Sequence, residues 1–104
     1  MTKFEMNKKA VLSTLKRVKK PMTAFCIANR CGIHENSESC TSTRSIIRDL
    51  TADGYAIGSS SAGYKMLRTG KDVQGYLNHL LKRQMGISQR IADVYDAARL
   101  EGIL

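Results

Sequence analysis

Acidic residues are scarce in this 104-residue sequence, and their scarcity narrows the choice of partner. Nine Asp and Glu stand against 17 Lys and Arg, which gives a formal net charge of +8. Seven of the basic residues but only one acid lie within residues 1–20. Such a localised positive charge favours a polyanion, above all a nucleic acid, over an acidic groove of another protein.

Long apolar runs and a cysteine framework are also missing. No apolar stretch approaches the roughly 20 residues that span a bilayer, and the first residues do not have the order of a signal peptide. Three cysteines, an odd number without a repeated spacing, do not form a disulfide framework and suit a reducing cytoplasm. We therefore expect no membrane partner.

The sequence lacks the patterns that catalysis requires. It has no Gly-rich phosphate loop before a helix and no nucleophile with an evident base. Asp49, Asp53 and Asp72 fall near predicted helix ends, where capping or solvation explains them better than metal binding by a nuclease. We expect no enzymatic activity, no cofactor and no small-molecule substrate.

One group of residues has the ligand types that zinc prefers, namely Cys26, Cys31, His34 and Cys40. Their spacing lacks a Cys-x2-Cys pair, and Cys31 has the position of a core residue. Packing and turn roles are therefore favoured over a metal site. His79, alone on the late helical segment, is interpreted as a solvated or packing histidine.

The sequence does contain a regular order of helical segments, in a length that suits one small domain. Val11 and Leu15 belong to a set of apolar residues at helical spacing, and Pro21 is expected to end this first helix. Met22 then forms a short extended segment able to pair beside a later hairpin. Thr23 is a suitable N-cap for the next helix.

The second helix is predicted over Ala24–Cys31, because Gly32 suits a left-handed C-cap and Ile33 can return to the core after it. The following stretch, residues 34–40, is polar and short of strong helix formers. We interpret it as an enlarged turn.

The third helix carries two arginines. Its N-cap is predicted at Thr41 or Ser42, and the dipeptide Asp53-Gly54 closes it. Ile46, Ile47 and Leu50 are predicted to face inward, while Arg44 and Arg48 share the opposite face.

A short hairpin is predicted after the third helix. Tyr55–Ile57 and Tyr64–Leu67 have the pattern of strands, and residues 58–63 form a Gly/Ser-rich loop between them. The arginine-bearing third helix is thus followed by a strand, a flexible polar loop and a second strand. This order is typical of a recognition helix followed by a wing.

The characteristic segments of this region are Met22-Thr23, Ile27-Ala28, Cys31-Gly32-Ile33, Arg44 with Ile46-Ile47-Arg48-Asp49-Leu50, Gly54-Tyr55-x-Ile57 and Gly63-Tyr64-x-Met66-Leu67. With them, the run from about Lys9 to Leu67 resembles the winged helix-turn-helix superfamily, and its hairpin is similar to that of the biotin-repressor type of N-terminal DNA-binding domain. Small stand-alone forms with a trailing helix resemble those that phages and prophages encode. The resemblance implies a mainly α fold with a small β-hairpin (α+β), double-stranded DNA as partner, and the bacterial host cytoplasm as location.

Three places are expected to contact DNA, although each is also explained by a plain solvated surface. The third helix would enter the major groove, with its arginines on bases or phosphates and its hydroxyls on phosphates. The serines of the loop would approach the DNA backbone or minor groove, and the basic end of the first helix would hold phosphates. The predicted residues are Thr41, Ser42, Thr43, Arg44, Ser45, Arg48, Ser59, Ser60, Ser61, Lys65, Arg68, Lys16, Arg17, Lys19 and Lys20.

A long amphipathic helix is predicted from a capping box at Thr69 almost to the C-terminus. Gly86 is expected to kink it or to break it in two. Its apolar residues need a surface, either the first helix or another copy of the chain, and we favour a homo-oligomer. The predicted contact residues are Leu77, Leu80, Leu81, Ile87, Ile91, Val94 and Tyr95.

These patterns predict two parts, a winged helix-turn-helix domain over residues 1–68 and a helical oligomerisation extension over residues 69–104. The predicted function is double-stranded DNA binding by a phage protein. It would act either as a dimeric transcription regulator on a palindrome or as a coater with little sequence specificity in DNA replication or packaging. The alternative is a protein-interaction module that docks a partner through its C-terminal helix.

Overall fold

A computed structural model describes residues 2–35 and 39–104 of the chain. The fold is mainly helical, with an antiparallel hairpin and a long C-terminal helix, as the α+β prediction requires at this level. In chain order the elements are α1 (Lys3–Arg17), α2 (Ala24–Cys31), α3 (Thr41–Ala52), β1 (Ile57–Ser60), β2 (Gly63–Met66) and α4 (Gly70–Leu100). The chain divides into two units, Met1–Thr69 and Gly70–Leu104.

Helix α1 ends earlier than the sequence predicts. Its last residue is Arg17, and Val18 already has an extended backbone, so the prediction that Pro21 stops the helix is wrong. The guanidinium of Arg68 donates from Nη2 to the carbonyls of Lys16 (2.8 Å) and Val18 (3.3 Å). These bonds satisfy carbonyls that the end of a helix leaves unpaired, which stabilises an end at this point.

Helix α2 has the predicted bounds and both predicted caps. The hydroxyl of Thr23 accepts a hydrogen bond from the amide of Cys26 at 3.2 Å. Gly32 has the left-handed conformation (φ 67°) that ends a helix at little cost. Ile33 follows it and is buried, as predicted.

The predicted pairing of Met22 beside the hairpin is confirmed. The amide of Met22 donates to the carbonyl of Tyr64 (2.9 Å), and the amide of Tyr64 donates back (2.7 Å). Gly63 permits this approach, since a Cβ there would lie 2.3 Å from the carbonyl carbon and oxygen of Met22. Its φ of 124° is also one that side chains rarely adopt.

The hairpin is tighter than predicted. Ile57 pairs with Met66 and Ser60 pairs with Gly63, so the connection is the dipeptide Ser61-Ala62 rather than a loop over residues 58–63. The positive φ of Gly63 suits such a short connection, and the Ser60 hydroxyl accepts a hydrogen bond from the amide of Ala62 (3.2 Å). Four of the six residues of the predicted loop are therefore strand, and the predicted first strand is wrong at Tyr55 and Ala56, which precede β1.

Helix α3 ends as predicted, at Ala52, with Asp53 as its C-cap and Gly54 at φ 112°. Its N-terminus differs, because neither Thr41 nor Ser42 is the cap. Both lie inside the helix, and the N-cap position is occupied by Cys40 without a side-chain hydrogen bond. Part of the preceding turn, Asn36, Ser37 and Glu38, lies outside the described residues.

The core of the first unit lies between the three helices and β1. The predicted inward residues of α3 are confirmed, since each is at most 4 % exposed. Burial of such side chains stabilises by about 1.5–3 kcal/mol each. The buried cluster comprises Val11, Leu15, Ile27, Ala28, Ile33, Ile46, Ile47, Leu50 and Ile57.

Helix α4 begins at Gly70 and runs through Gly86 without interruption, so the predicted possibility of two separate helices is wrong. A single glycine costs a helix interior about 1 kcal/mol, which the remaining residues of a long helix can offset. None of its residues is buried. Within residues 2–35 and 39–104, no helix combines the length and the apolar character needed to cross a membrane.

Candidate nucleic-acid interface

The outer face of α3 carries a basic surface. Arg44 and Arg48 are one helical turn apart, and both are exposed, as are Thr41 and Ser45 beside them. Among the described residues, none forms a hydrogen bond or ion pair with Arg48. This face can therefore offer a guanidinium group to an anion.

Arg44 is held in place by the hairpin and by the turn before α3. Its Nε donates to the carbonyl of Ser39 (2.6 Å), and its Nη1 donates to the hydroxyl of Tyr64 (2.9 Å). The guanidinium carbon lies 5.9 Å from the centre of the Tyr64 ring. A guanidinium has five N–H donors, so the two used here position Arg44 and leave donors for a ligand.

The N-terminus of α3 is capped by a side chain distant in sequence. One carboxylate oxygen of Glu35 accepts hydrogen bonds from the amide (2.7 Å) and hydroxyl (2.5 Å) of Thr43, and the other accepts from the amide of Ser42 (3.2 Å). Burial alone would raise the pKa of Glu35, but these hydrogen bonds outweigh it and hold the pKa below its ordinary value.

This cap changes the predicted role of two residues. Thr43 is fully buried, and its hydroxyl donates a hydrogen bond to the carboxylate of Glu35. Its side chain is therefore not available to a phosphate. The amide of Ser42 is also occupied, although its side chain is exposed. Helix N-termini often bind anions through such amides, but here the protein supplies the anion itself.

Asp49 of α3 and its C-cap, Asp53, are both paired with a lysine of α1. Lys8 of α1 forms ion pairs with Asp53 and with Asp49, the latter at 3.5 Å between Nζ and Oδ2. The hydrogen bond to Asp53 raises the pKa of Lys8 above its ordinary value, although burial opposes this. The pairing partly neutralises both carboxylates, while Arg44 and Arg48 have no carboxylate partner among the described residues.

The polar residues of the hairpin differ in their position on the strands or turn and in their exposure. Ser59 and Ser60 are exposed strand residues, and Ser61 lies in the turn. Lys65 pairs with Gly58 in the ladder and is only partly exposed. The predicted serine surface is therefore an edge of β1 together with the turn, rather than a flexible loop.

The end of α1 forms a second basic surface. Arg17, Lys19 and Lys20 are exposed, while the Nζ of Lys16 lies 5.4 Å from the centre of the Tyr55 ring. Arg68 differs from them, because its guanidinium is bound by the carbonyls at the end of α1. Its role in the structure is to hold the chain after β2 against α1.

Sequence reasoning missed Glu35 and the hydroxyl of Tyr64. Glu35 lies eight residues before Thr43, outside the spacing of a capping box, so no local pattern indicates it. Tyr64 was predicted only as a strand residue, since a pairing with Arg44 depends on how α3 and the hairpin pack. Arg30, exposed in the last turn of α2, is a further basic residue that the prediction did not include.

The predicted oligomerisation residues all lie on α4 and are exposed in the single chain. Leu80 is the least exposed of them at 39 %, and Ile91 the most at 65 %. Leu81 and Tyr95 flank the others along the same side of the helix. An apolar surface of this kind is unusual on a helix that meets only water.

The cysteines occupy separate environments. Cys26 is exposed, Cys40 is buried, and the thiol of Cys31 lies 3.4 Å from the hydroxyl of Thr14. Across the part of the chain that the structure describes, no three His, Cys, Asp or Glu side chains are grouped to hold a metal ion.

In comparisons with known proteins, no family model, no curated protein and no solved structure matches this chain.

Proposed function

We propose that this protein binds double-stranded DNA as a winged helix-turn-helix protein, with α3 as the recognition helix and the hairpin as the wing. The order of α1, the Met22 segment, α2, α3 and the hairpin supports this assignment, as does the pairing of Met22 with Tyr64. It is a binding protein rather than an enzyme, and the sequence resemblance favours a phage origin.

The observation that carries the proposal is the arginine surface of α3 together with its link to the hairpin. Arg48 reaches into the major groove as a free side chain, where a guanidinium can bind a guanine edge or a phosphate. Arg44 is preorganised by Tyr64 and Ser39, so less side-chain entropy is lost when it meets the DNA backbone. The nearby acids, Asp49 and Asp53, are paired with Lys8 of α1.

The outer surfaces act as phosphate contacts. The serines of β1 and its turn are small enough for the hairpin to approach the DNA backbone closely. Arg17, Lys19 and Lys20 add charge at the end of α1. Because these contacts carry no base information, the same surface serves a regulator of transcription or a coater in DNA replication or packaging.

A charge-reversal variant tests the proposal. Arg44→Glu combined with Arg48→Glu is expected to weaken binding to a mixed-sequence duplex of about 30 base pairs by on the order of 30-fold or more. Fluorescence anisotropy at two salt concentrations measures the affinity. Circular dichroism verifies that the variant is folded.

The matched control changes the same number of charges on the other unit. Lys71→Glu combined with Lys82→Glu alters two exposed lysines of α4 and should leave the affinity within a few-fold of wild type. Equal binding by the α3 variant and the control would contradict the recognition-helix assignment.

A second candidate function rests on α4 rather than on α3. Its exposed apolar residues, such as Ile87, Ile91 and Val94, would suit the groove of a protein partner. In that case the α3 charge reversal would leave partner capture intact. If the α3 variant loses DNA binding but still captures a protein partner, then both the α3 surface and the α4 surface are functional.

A further inference from the structure

Six residues of α4, five of them apolar, alternate at spacings of three and four positions. The seam of core positions is Leu77, Leu80, Gln84, Ile87, Ile91 and Val94. This spacing is that of a heptad repeat, in which alternate positions face a neighbouring helix along its length. A helix that only covers a globular core follows a wider stripe with a 3.6-residue period. We infer that α4 pairs with α4 of a second copy of this chain, parallel and in register.

The polar residue within the seam favours the parallel orientation. In a parallel pair, Gln84 faces Gln84 of the second copy, and the two amides can hydrogen-bond to each other. In an antiparallel pair centred on the seam, Gln84 would face Ile87 and its amide would be buried against an apolar side chain. Leaving a buried amide unpaired costs about 1–3 kcal/mol.

The charges that flank the seam favour the same orientation. Arg83 and Arg90 lie on one side of it, at equivalent positions of successive repeats. An antiparallel pair would place Arg83 of each copy beside Arg90 of the other, which gives two like-charge contacts on one flank of the coil. A parallel pair instead places them near Ser88 and Tyr95 on the other flank, which removes two like-charge contacts.

The inference rests on the proposed DNA binding and decides between its two forms, the regulator and the coater. Since Thr69 leads directly into α4, a parallel pair attaches both Met1–Thr69 units at the same end of the coil. This is a closed two-fold association, which suits two DNA half-sites. A head-to-tail coater would need contacts that do not close in this way.

Cysteine cross-linking of the full chain, without DNA, tests orientation and register. In a Cys26→Ser background, which removes the exposed thiol, Leu77→Cys is expected to give mostly disulfide-linked dimers under mild oxidation. Facing core positions of a parallel pair bring the two Cα atoms within the roughly 4.4–6.8 Å that a disulfide spans. Lys82→Cys, on the outer face of α4, is the matched control and should remain monomeric on a non-reducing gel.

The antiparallel alternative has its own signature. There, Leu77→Cys would fail to link to itself but would link to Val94→Cys on a tagged second chain. That result would overturn the inference, as would a monomeric mass for the wild type in analytical ultracentrifugation at micromolar concentration. Because no DNA is present, these failures remain distinct from a failure of DNA binding.

Discussion

At the scale of single residues, Glu35 is the side chain on which the N-terminus of α3 depends. A carboxylate at this position satisfies two amides and interacts favourably with the positive end of the helix. The exposed arginines are the fourth and eighth residues of α3. A change at Glu35 therefore alters the N-terminus of the helix that carries the candidate interface.

Replacing Glu35 with Gln tests this dependence through pH. The variant should lower the free energy of unfolding by about 1 kcal/mol at neutral pH, the usual cost of losing a cap. Because the folded-state pKa of Glu35 lies below its ordinary value of 4.5, the contribution of the carboxylate is present above that pH and is lost as the pH falls through the folded pKa. Urea unfolding at several pH values should show a shallower acid loss for Glu35→Gln than for wild type.

Thr43→Val provides the matched control for the pH experiment. It keeps the shape of a buried side chain and removes the hydroxyl that donates to Glu35. The pKa of Glu35 should then rise part of the way toward its ordinary value, and the acid dependence should become intermediate. An acid dependence identical to wild type in both variants would show that Glu35 does not carry it.

Gly63 is the second residue on which local structure depends. Gly63→Ala should lower the free energy of unfolding by about 2–3 kcal/mol, since it adds a strained φ and a Cβ that meets the backbone of Met22. Gly54→Ala separates the two effects, because Gly54 also has a positive φ but has open space around it, and it should cost only about 1 kcal/mol. Equal losses from the two variants, measured by urea unfolding, would show that the backbone relieves the clash.

At the scale of elements, α3 and the hairpin act together through Arg44 and Tyr64. Tyr64→Phe removes the hydroxyl that accepts from Arg44 and keeps the ring and the backbone pairing with Met22. Under the proposed function, DNA affinity should fall about fivefold, the equivalent of one hydrogen bond of about 1 kcal/mol. Anisotropy titration measures this loss.

Tyr55→Phe controls for the loss of a tyrosine hydroxyl elsewhere, since the Tyr55 ring would still face Lys16. Its affinity should match wild type. If Tyr64→Phe also binds as wild type does, the hydrogen bond to Arg44 has no part in positioning the arginine for DNA.

The helices and their ends also show which structural features could be predicted from the sequence. Features fixed by neighbouring residues were predicted, such as the caps of α2 at Thr23 and Gly32 and the inward face of α3. Features that depend on side chains from distant segments were not, although the backbone pairing of Met22 beside the hairpin was. The early end of α1 requires Arg68, and the N-terminus of α3 requires Glu35.

In the candidate site, too, the features set by local spacing were predicted and those set by tertiary contacts were not. Arg44 and Arg48 could be assigned to one exposed face from helical spacing alone. The burial of Thr43 follows from the tertiary position of Glu35, and the engagement of Arg68 follows from the position of the end of α1. Whether a polar side chain is free or bound is thus a property of the folded chain, which composition and spacing do not encode.

At the scale of the whole molecule, charge is the property that links the two basic surfaces. If Arg44, Arg48, Arg17, Lys19 and Lys20 all meet phosphates, the logarithm of the association constant should fall with the logarithm of salt concentration at a slope of about −4 to −5. Anisotropy titrations over a range of salt concentrations give this slope directly. The slope counts phosphate contacts without requiring knowledge of any preferred sequence.

Lys19→Gln combined with Lys20→Gln tests whether the end of α1 belongs to the interface. Removing two phosphate contacts should reduce the magnitude of the slope by about 2, whereas Lys71→Gln combined with Lys82→Gln on α4 should leave it unchanged. Both pairs remove the same charge, so a long-range effect of net charge would change the two slopes alike. A wild-type slope for the first pair would confine DNA binding to α3 and the hairpin, and equal reductions for both pairs would mean that the positive charge acts without a defined surface.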